Sequence, residues 1–422
     1  MIAPLFLALA VPAALASSSV NFHATHKHHS RAQYNEDPTV AGDPDNGWQE
    51  IPQVTDATIV TNWVVDEKQN ASIPVYITAN QDPANVQRAV IALAGKTRDC
   101  WYYFNAVNNA LYNAAEQNPD TVSRDTQSIM SPCFFSEVDV TAGAVSQGQT
   151  VWSKSGWIDG EYNKAPDSVS KLSSFAALDS LIDSYMDKNT FPNLKVVVIA
   201  GHSAGAQMAQ RYLALRNTKD NDDRLHYWIG NPGSFLWLTK HRPKANSTCE
   251  DVDEYKYGLG GSFPGYATAL AKSSGRDGIV DQYMGRYAHY AFGLNDDGPG
   301  DTRCQAVTQG ATHLERGSYF EALLKSLNGG ELPSKTTFDY ITNVSHDNIA
   351  MMNSGPGIDK LFKLDLAGSS ASYDSTYSTG SSPINTTGST DTSGDDDGDG
   401  AVGLQVHSIM ALSLFSGLLM LL

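Results

Sequence analysis

The sequence predicts an α/β fold with a mainly parallel central sheet, helices on both faces and a lid-like insertion. Three observations carry this reading. Short apolar runs at 72–77, 89–93, 128–130, 196–200, 226–229 and 288–292 alternate with stretches of helical periodicity, the pattern of βαβ units. The run at 196–200 breaks into small residues and then a helical pattern from Ala206 to Leu215, so one strand–turn–helix junction is legible in full. With 422 residues, 41% of them hydrophobic and 18% charged, the chain can bury the core of a large domain.

Taken from the N-terminus, the first segment is a targeting signal. Residues 2–16 are almost wholly apolar and end in Ala14-Leu15-Ala16, so 1–16 is expected to be a cleaved secretory signal peptide rather than a buried helix. Residues 17–54 are polar and hold His23, His26, His28 and His29. A metal site is one reading of those histidines. With no packed partner segment evident, a disordered or processed leader is the expectation.

Residues 55–367 form the expected globular domain. Its central signal is an apolar strand from Lys195 running into Gly201-His202-Ser203-Ala204-Gly205 and then a helix. A G-x-S-x-G between strand and helix is a nucleophile elbow. Small flanking residues let strand and helix pass closely, and the serine oxygen projects above the sheet edge. Ser203 is therefore the candidate nucleophile. The amide of Ala204, at the helix N-terminus, is the first candidate oxyanion donor. A second donor is expected from the loop after an earlier strand, where the chain reads Val90 to Gly95-Lys96-Thr97-Arg98. Lys96 is the choice there, with Thr97 as alternate.

An acid and a histidine should follow in that order. Asp296 ends the strand-like run from Tyr290, with Asp297 as runner-up and Asp301 as a third candidate. His346, in a polar loop after a short strand late in the domain, is the candidate general base. His289 lies inside a strand pattern and reads as structural. The 232–286 insertion carries Phe235, Trp237, Tyr255, Tyr257, Phe263 and Tyr266. These either shape an apolar pocket over the site or pack the insertion's own core.

The four cysteines lack zinc-site spacing, so no metal site is expected. Cys100 follows the oxyanion strand and Cys133 the next strand, which favours one bridge between neighbouring strand ends. Cys249 and Cys304 would then pin the insertion beside the acid loop. Sequons at Asn70, Asn246, Asn343 and Asn385 are candidate N-glycosylation sites.

Residues 368–400 are rich in Ser, Thr, Gly and Asp and read as a flexible stalk. Residues 401–422 end in an apolar run with no charge after it. Small residues before the run, at Ser393, Gly394 and Asp395, are candidate attachment points for a GPI anchor. A tail-anchored membrane helix is the rival, but the run is short for a span. The net charge of −17 argues against nucleic acid as a partner.

Several segments together resemble secreted microbial proteins of the α/β-hydrolase superfamily. They are Gly95-Lys96-Thr97-Arg98, Trp152 through Trp157 to Gly160, Ser173 to Asp179, Phe191 to Leu194, and Gly201 to Gly205 with Gln207, Arg211 and Tyr212. Asn231-Pro232, Tyr255 to Leu259, Gln309-Gly310, Arg316-Gly317 and His346-Asp347 complete the set. The resemblance spans most of the domain and implies an α/β-hydrolase fold with Ser203, Asp296 and His346 as triad. Two positions depart from it: Ala94 stands where such strands usually end in His, and Ala206 where glycine is common. The expected function is a surface-anchored serine hydrolase cleaving a small-molecule or polymeric ester, without metal or organic cofactor. A peptidase, an acyltransferase and a non-catalytic surface scaffold are the alternatives. Oligomeric state is left open.

Overall fold

The computed structural model describes residues 35–363. Eight strands form one sheet: β1 (Ala57–Asp66), β2 (Ala71–Thr78), β3 (Arg88–Leu93), β4 (Gln127–Pro132), β5 (Val196–His202), β6 (Leu225–Gly230), β7 (Tyr287–Gly293) and β8 (Thr336–Ile341). They lie in the order β8-β7-β6-β5-β3-β4-β2-β1. Strands β3 to β8 pair in parallel, while β2 runs antiparallel to β4 and β1 antiparallel to β2. This is the α/β-hydrolase fold, as expected.

Every residue of β3, β5 and β6 is buried, which is why these strands read as unbroken apolar runs. Their side chains alternate between two cores. Ile91 and Ile199 join one face with helices α2 (Ser174–Met186), α3 (Ala204–Leu215) and α5 (His313–Leu327). Val90 and Val198 join the other with α1 (Cys100–Gln117) and with Leu361 and Phe362 near the end of the described residues. The edge strand β1 is half exposed and its register shifts twice along β2, so its sequence lacks a sustained apolar signal.

The N-terminal boundary differs from the expectation. Residues 35–54 are packed onto the domain rather than forming leader. Trp48 sits edge-on to Trp101 with ring centroids 5.1 Å apart, and Val54 is buried. Asn105 Nδ2 donates to Asp37 Oδ1 at 2.6 Å, and Trp48 Nε1 to the Thr97 carbonyl at 2.7 Å. The segment is held by hydrogen bonds to α1 and to the loop before it, with Val40, Trp48, Ile51 and Val54 as its apolar anchors.

The insertion between β6 and β7 carries α4 (Thr268–Met284). Its aromatics pack inward. Phe235 stacks on Phe320 of α5 at 4.2 Å, and Phe235, Trp237 and Tyr257 are all buried. Tyr255, Phe263 and Tyr266 lean against the same core.

Both expected disulfides form, Cys100–Cys133 and Cys249–Cys304, with Cα separations of 5.1 and 5.7 Å. Asn70, Asn246 and Asn343 are exposed. No helix among the described residues is long and apolar enough to cross a membrane. The signal segment, His23 to His29, Asn385, the stalk, Ser393, Gly394, Asp395 and the apolar tail lie outside the described residues.

Candidate active site

The junction of β5 and α3 forces its own geometry. Ser203 takes φ 57° and ψ −119°, a conformation costly for a residue with a side chain. Its neighbours show why the turn is tolerated. A Cβ on Gly201 would lie 2.2 Å from the Gly205 carbonyl carbon, and one on Gly205 would lie 2.5 Å from the Leu93 carbonyl oxygen. The two glycines therefore let α3 start directly against β5 and β3. The turn is closed by the Ser203 N–H donating to the Gly230 carbonyl at 2.9 Å.

Asp296 and His346 come together from the ends of β7 and β8. His346 Nδ1 lies 2.7 Å from Asp296 Oδ2, which leaves Nε2 to face elsewhere. Asp296 is fully buried. Burial alone would raise its carboxyl, but contacts with His313 and His346 outweigh it and hold the group well below the usual carboxylate range. Asp297 is exposed and Asp301 is committed to Tyr257 and Arg303, so neither runner-up meets the imidazole.

Two histidines that sequence reasoning passed over complete the cluster. His313, the first residue of α5, places Nδ1 3.0 Å from Asp296 Oδ1. That approach is close but off-line, so it completes no directed hydrogen bond on either atom. Its ring stacks on His346 at 4.2 Å, and His202 lies on His346 at 4.5 Å. Burial pushes the His202 imidazole well below its ordinary range. Asn231 braces the group: its Oδ1 accepts from the Gly293 N–H at 3.0 Å, and its Nδ2 donates to the Ser345 carbonyl at 3.3 Å. No local motif marked His313, because the chain through 301–312 leads away and back before the start of α5 meets Asp296.

The loop after β3 is held from outside the site. Arg98 makes a two-pronged pair with Asp139, at 2.7 and 3.1 Å, and both side chains are buried. Asp139 also accepts from the Ser136 N–H at 2.8 Å and the Trp48 N–H at 3.1 Å. Arg98 Nη2 donates to the Pro44 carbonyl at 2.8 Å. This brace holds the loop that follows Ala94.

Ser203, Ala204, Lys96, Thr97 and His346 all line one cleft of about 780 Å³. Of the 232–286 insertion, only Gly233 and Lys256 reach its wall, so the insertion's aromatics do not form an apolar pocket over Ser203. Among the described residues, Asp296, His313 and His346 are the group able to hold a metal ion, with ligand atoms within 4.8 Å of one another. The directed bond between Asp296 and His346 already occupies two of those atoms, which fits an acid–base pair better than an open coordination sphere.

No family model and no curated protein matches the chain. Solved structures similar to it include poly(aspartic acid) hydrolase-1 from Sphingomonas sp. KT-1, at 18% identity and TM-score 0.48, covering 71% of this chain and 96% of that one. Another is LpqC, a poly(3-hydroxybutyrate) depolymerase from Bordetella parapertussis, at 15% identity and TM-score 0.48, with 72% and 89% covered. A third is an S-formylglutathione hydrolase from Agrobacterium tumefaciens, at 9% identity and TM-score 0.39, with 77% and 100% covered. The fold assignment rests on the strand order and the β5–α3 junction, not on these likenesses.

Proposed function

We propose that this chain is a serine hydrolase that cleaves carboxylic esters. The observation that carries the reading is Ser203 held at φ 57° in the same cleft as His346, whose Nδ1 meets Asp296 Oδ2 at 2.7 Å. On this reading Ser203 Oγ attacks the ester carbonyl and His346 Nε2 takes its proton. Asp296 fixes the ring's tautomer and stabilises the imidazolium. The backbone N–H groups of Ala204 and Lys96 receive the oxyanion; an amide in the first turn of a helix has no carbonyl four residues back to serve. Collapse expels the alcohol, which recovers the proton from His346. Water, deprotonated by His346, then releases the acid and frees Ser203. A fluorophosphonate probe tests the assignment: it should label Ser203 in the native protein, and Ser203→Ala should abolish both labelling and ester hydrolysis while remaining folded. Retained hydrolysis in that variant refutes it.

We also propose that the mature protein is exported and held at the cell surface by a GPI anchor attached between Ser393 and Asp395. The support is compositional: a polar spacer, small residues and a terminal apolar run with no charged stop. Release from cells by phosphatidylinositol-specific phospholipase C is the expected result. A mature C-terminal peptide ending at Leu422 refutes it.

A further inference from the structure

The lining of the cleft exposes more apolar than polar surface, but few of its residues carry an apolar side chain and several carry a charge. Beyond Ala204, its apolar side chains are Ile158, Pro299 and the ring of Tyr103. Its charged lining is Lys96, Lys256 and Arg303 against a single carboxylate, Asp301. Arg303 and Asp301 satisfy each other, with Nε–Oδ1 at 2.8 Å and Nη2–Oδ2 at 3.0 Å.

Lys256 is not satisfied in the same way. Its Nζ lies 2.6 Å from Asp159 Oδ2, but Asp159 Oδ1 already accepts from Arg211 Nη1 at 2.8 Å. One carboxylate thus serves two cations. Arg211 is fully buried and the Lys256 side chain is 16% exposed, so water does little to screen the surplus. Burial, and then the charge of Arg211, pull the Lys256 ammonium below its ordinary range. Lys256 also lines a neighbouring depression together with Asp159 and Glu161, while Glu161 does not line the cleft itself. Lys96 adds an exposed cation from the loop that carries the second oxyanion donor. The protein's net charge of −17 does not cancel this, because charges beyond roughly 8–10 Å are screened at ordinary ionic strength.

Resting on the assignment of Ser203 as nucleophile, we infer that the substrate is an anionic ester, one carrying a carboxylate a few atoms from the scissile bond, with Lys256 and Lys96 as its partners. A buried cation that shares its counter-ion gains most from an anion that arrives with the substrate.

Two substrate pairs test this, one for each side of the ester. Mono-4-nitrophenyl adipate against 4-nitrophenyl hexanoate places the charge on the acyl side. The butyrate ester of 4-hydroxy-3-nitrobenzoate against 4-nitrophenyl butyrate places it on the alcohol side. In at least one pair the anionic member should lead by about ten-fold or more in kcat/KM at low salt. The lead should shrink in 0.5 M NaCl (roughly a 4–5 Å screening length) and fall to about two-fold or less in Lys96→Gln/Lys256→Gln. Lys256→Arg, which keeps the charge, should retain it. Equal or better turnover of the neutral member in both pairs overturns the inference but leaves the nucleophile standing, as does a lead that survives in the double glutamine variant. Absence of hydrolysis of every ester, together with no fluorophosphonate on Ser203, removes the nucleophile assignment and this inference with it.

Discussion

Removing the Asp139 carboxylate tests whether the loop after β3 is held by one buried ion pair. In Asp139→Ala, Arg98 keeps only the Pro44 carbonyl among its described partners, while the N–H groups of Ser136 and Trp48 lose their acceptor. Breaking a buried pair by deleting one partner costs about 3–5 kcal/mol, because the remaining charge stays desolvated. Each orphaned amide adds about 1–3 kcal/mol if it finds no water, and these costs overlap rather than sum. The expected loss is therefore about 3–5 kcal/mol, a large share of the roughly 5–15 kcal/mol typical of a folded domain. The Cys100–Cys133 bridge should keep the fold together, so the loss is measurable by urea denaturation with both disulfides intact. The loop also carries the Lys96 amide. On the proposed mechanism that amide is an oxyanion donor, whose displacement costs about 10²–10³-fold in kcat, so a decline toward the lower end of that range with little change in KM is expected. The double change Arg98→Met/Asp139→Leu should recover only the part due to the unpaired arginine, because the Ser136 and Trp48 N–H groups still lack an acceptor. A loss below about 1 kcal/mol in Asp139→Ala, at unchanged m-value, refutes the argument.

Two further outcomes follow from the site and the sheet. Asp296→Asn should stay folded yet lose roughly 10³–10⁴-fold in kcat, because an amide no longer fixes the His346 tautomer; His313→Gln should lose far less, and the reverse ranking in steady-state assays transfers the base to His313. Asp339, buried on β8, has its carboxyl pushed up to about 6 by burial, with Lys360 opposing and Asp359 adding to the shift. Its folded value exceeds the unfolded value of about 3.9, so stability should fall as pH rises from about 4 to 6. The loss is on the order of 3 kcal/mol at most, and Asp339→Asn should flatten that slope in denaturation curves taken at pH 4, 5, 6 and 7.

The parts of the molecule that could be read from the chain are those whose signals are local. The β5–α3 junction is spelled out by a buried strand, two obligatory glycines and a helix. The Cys100–Cys133 pairing followed from neighbouring strand ends that can meet in a sheet, and the Cys249–Cys304 pairing from placing the insertion beside the acid loop. What escaped depends on contacts distant in sequence. The brace of Trp48, Arg98 and Asp139 joins segments separated by 41 residues or more, and no periodicity marks a polar pair. The insertion's aromatics are visible as composition, but composition does not say which way a ring points; most turned to the core. Residues that carried the resemblance, such as Arg211, Tyr255 and Lys256, meet at the carboxylate of Asp159 and its backbone carbonyl, which only the fold brings within reach.

The two disulfides enclose separate, non-overlapping stretches of chain, 33 and 55 residues apart in sequence. Neither loop is threaded by the other bridge, so neither closure waits on the other. A chain emerging from its N-terminus has both partners of the first pair available before β5 exists, and the correct partner for Cys100 is also the first thiol to appear after it. Of the three ways four thiols can pair, the native one is thus the way that order of synthesis favours, and nearest-neighbour capture leads toward the folded state rather than away from it.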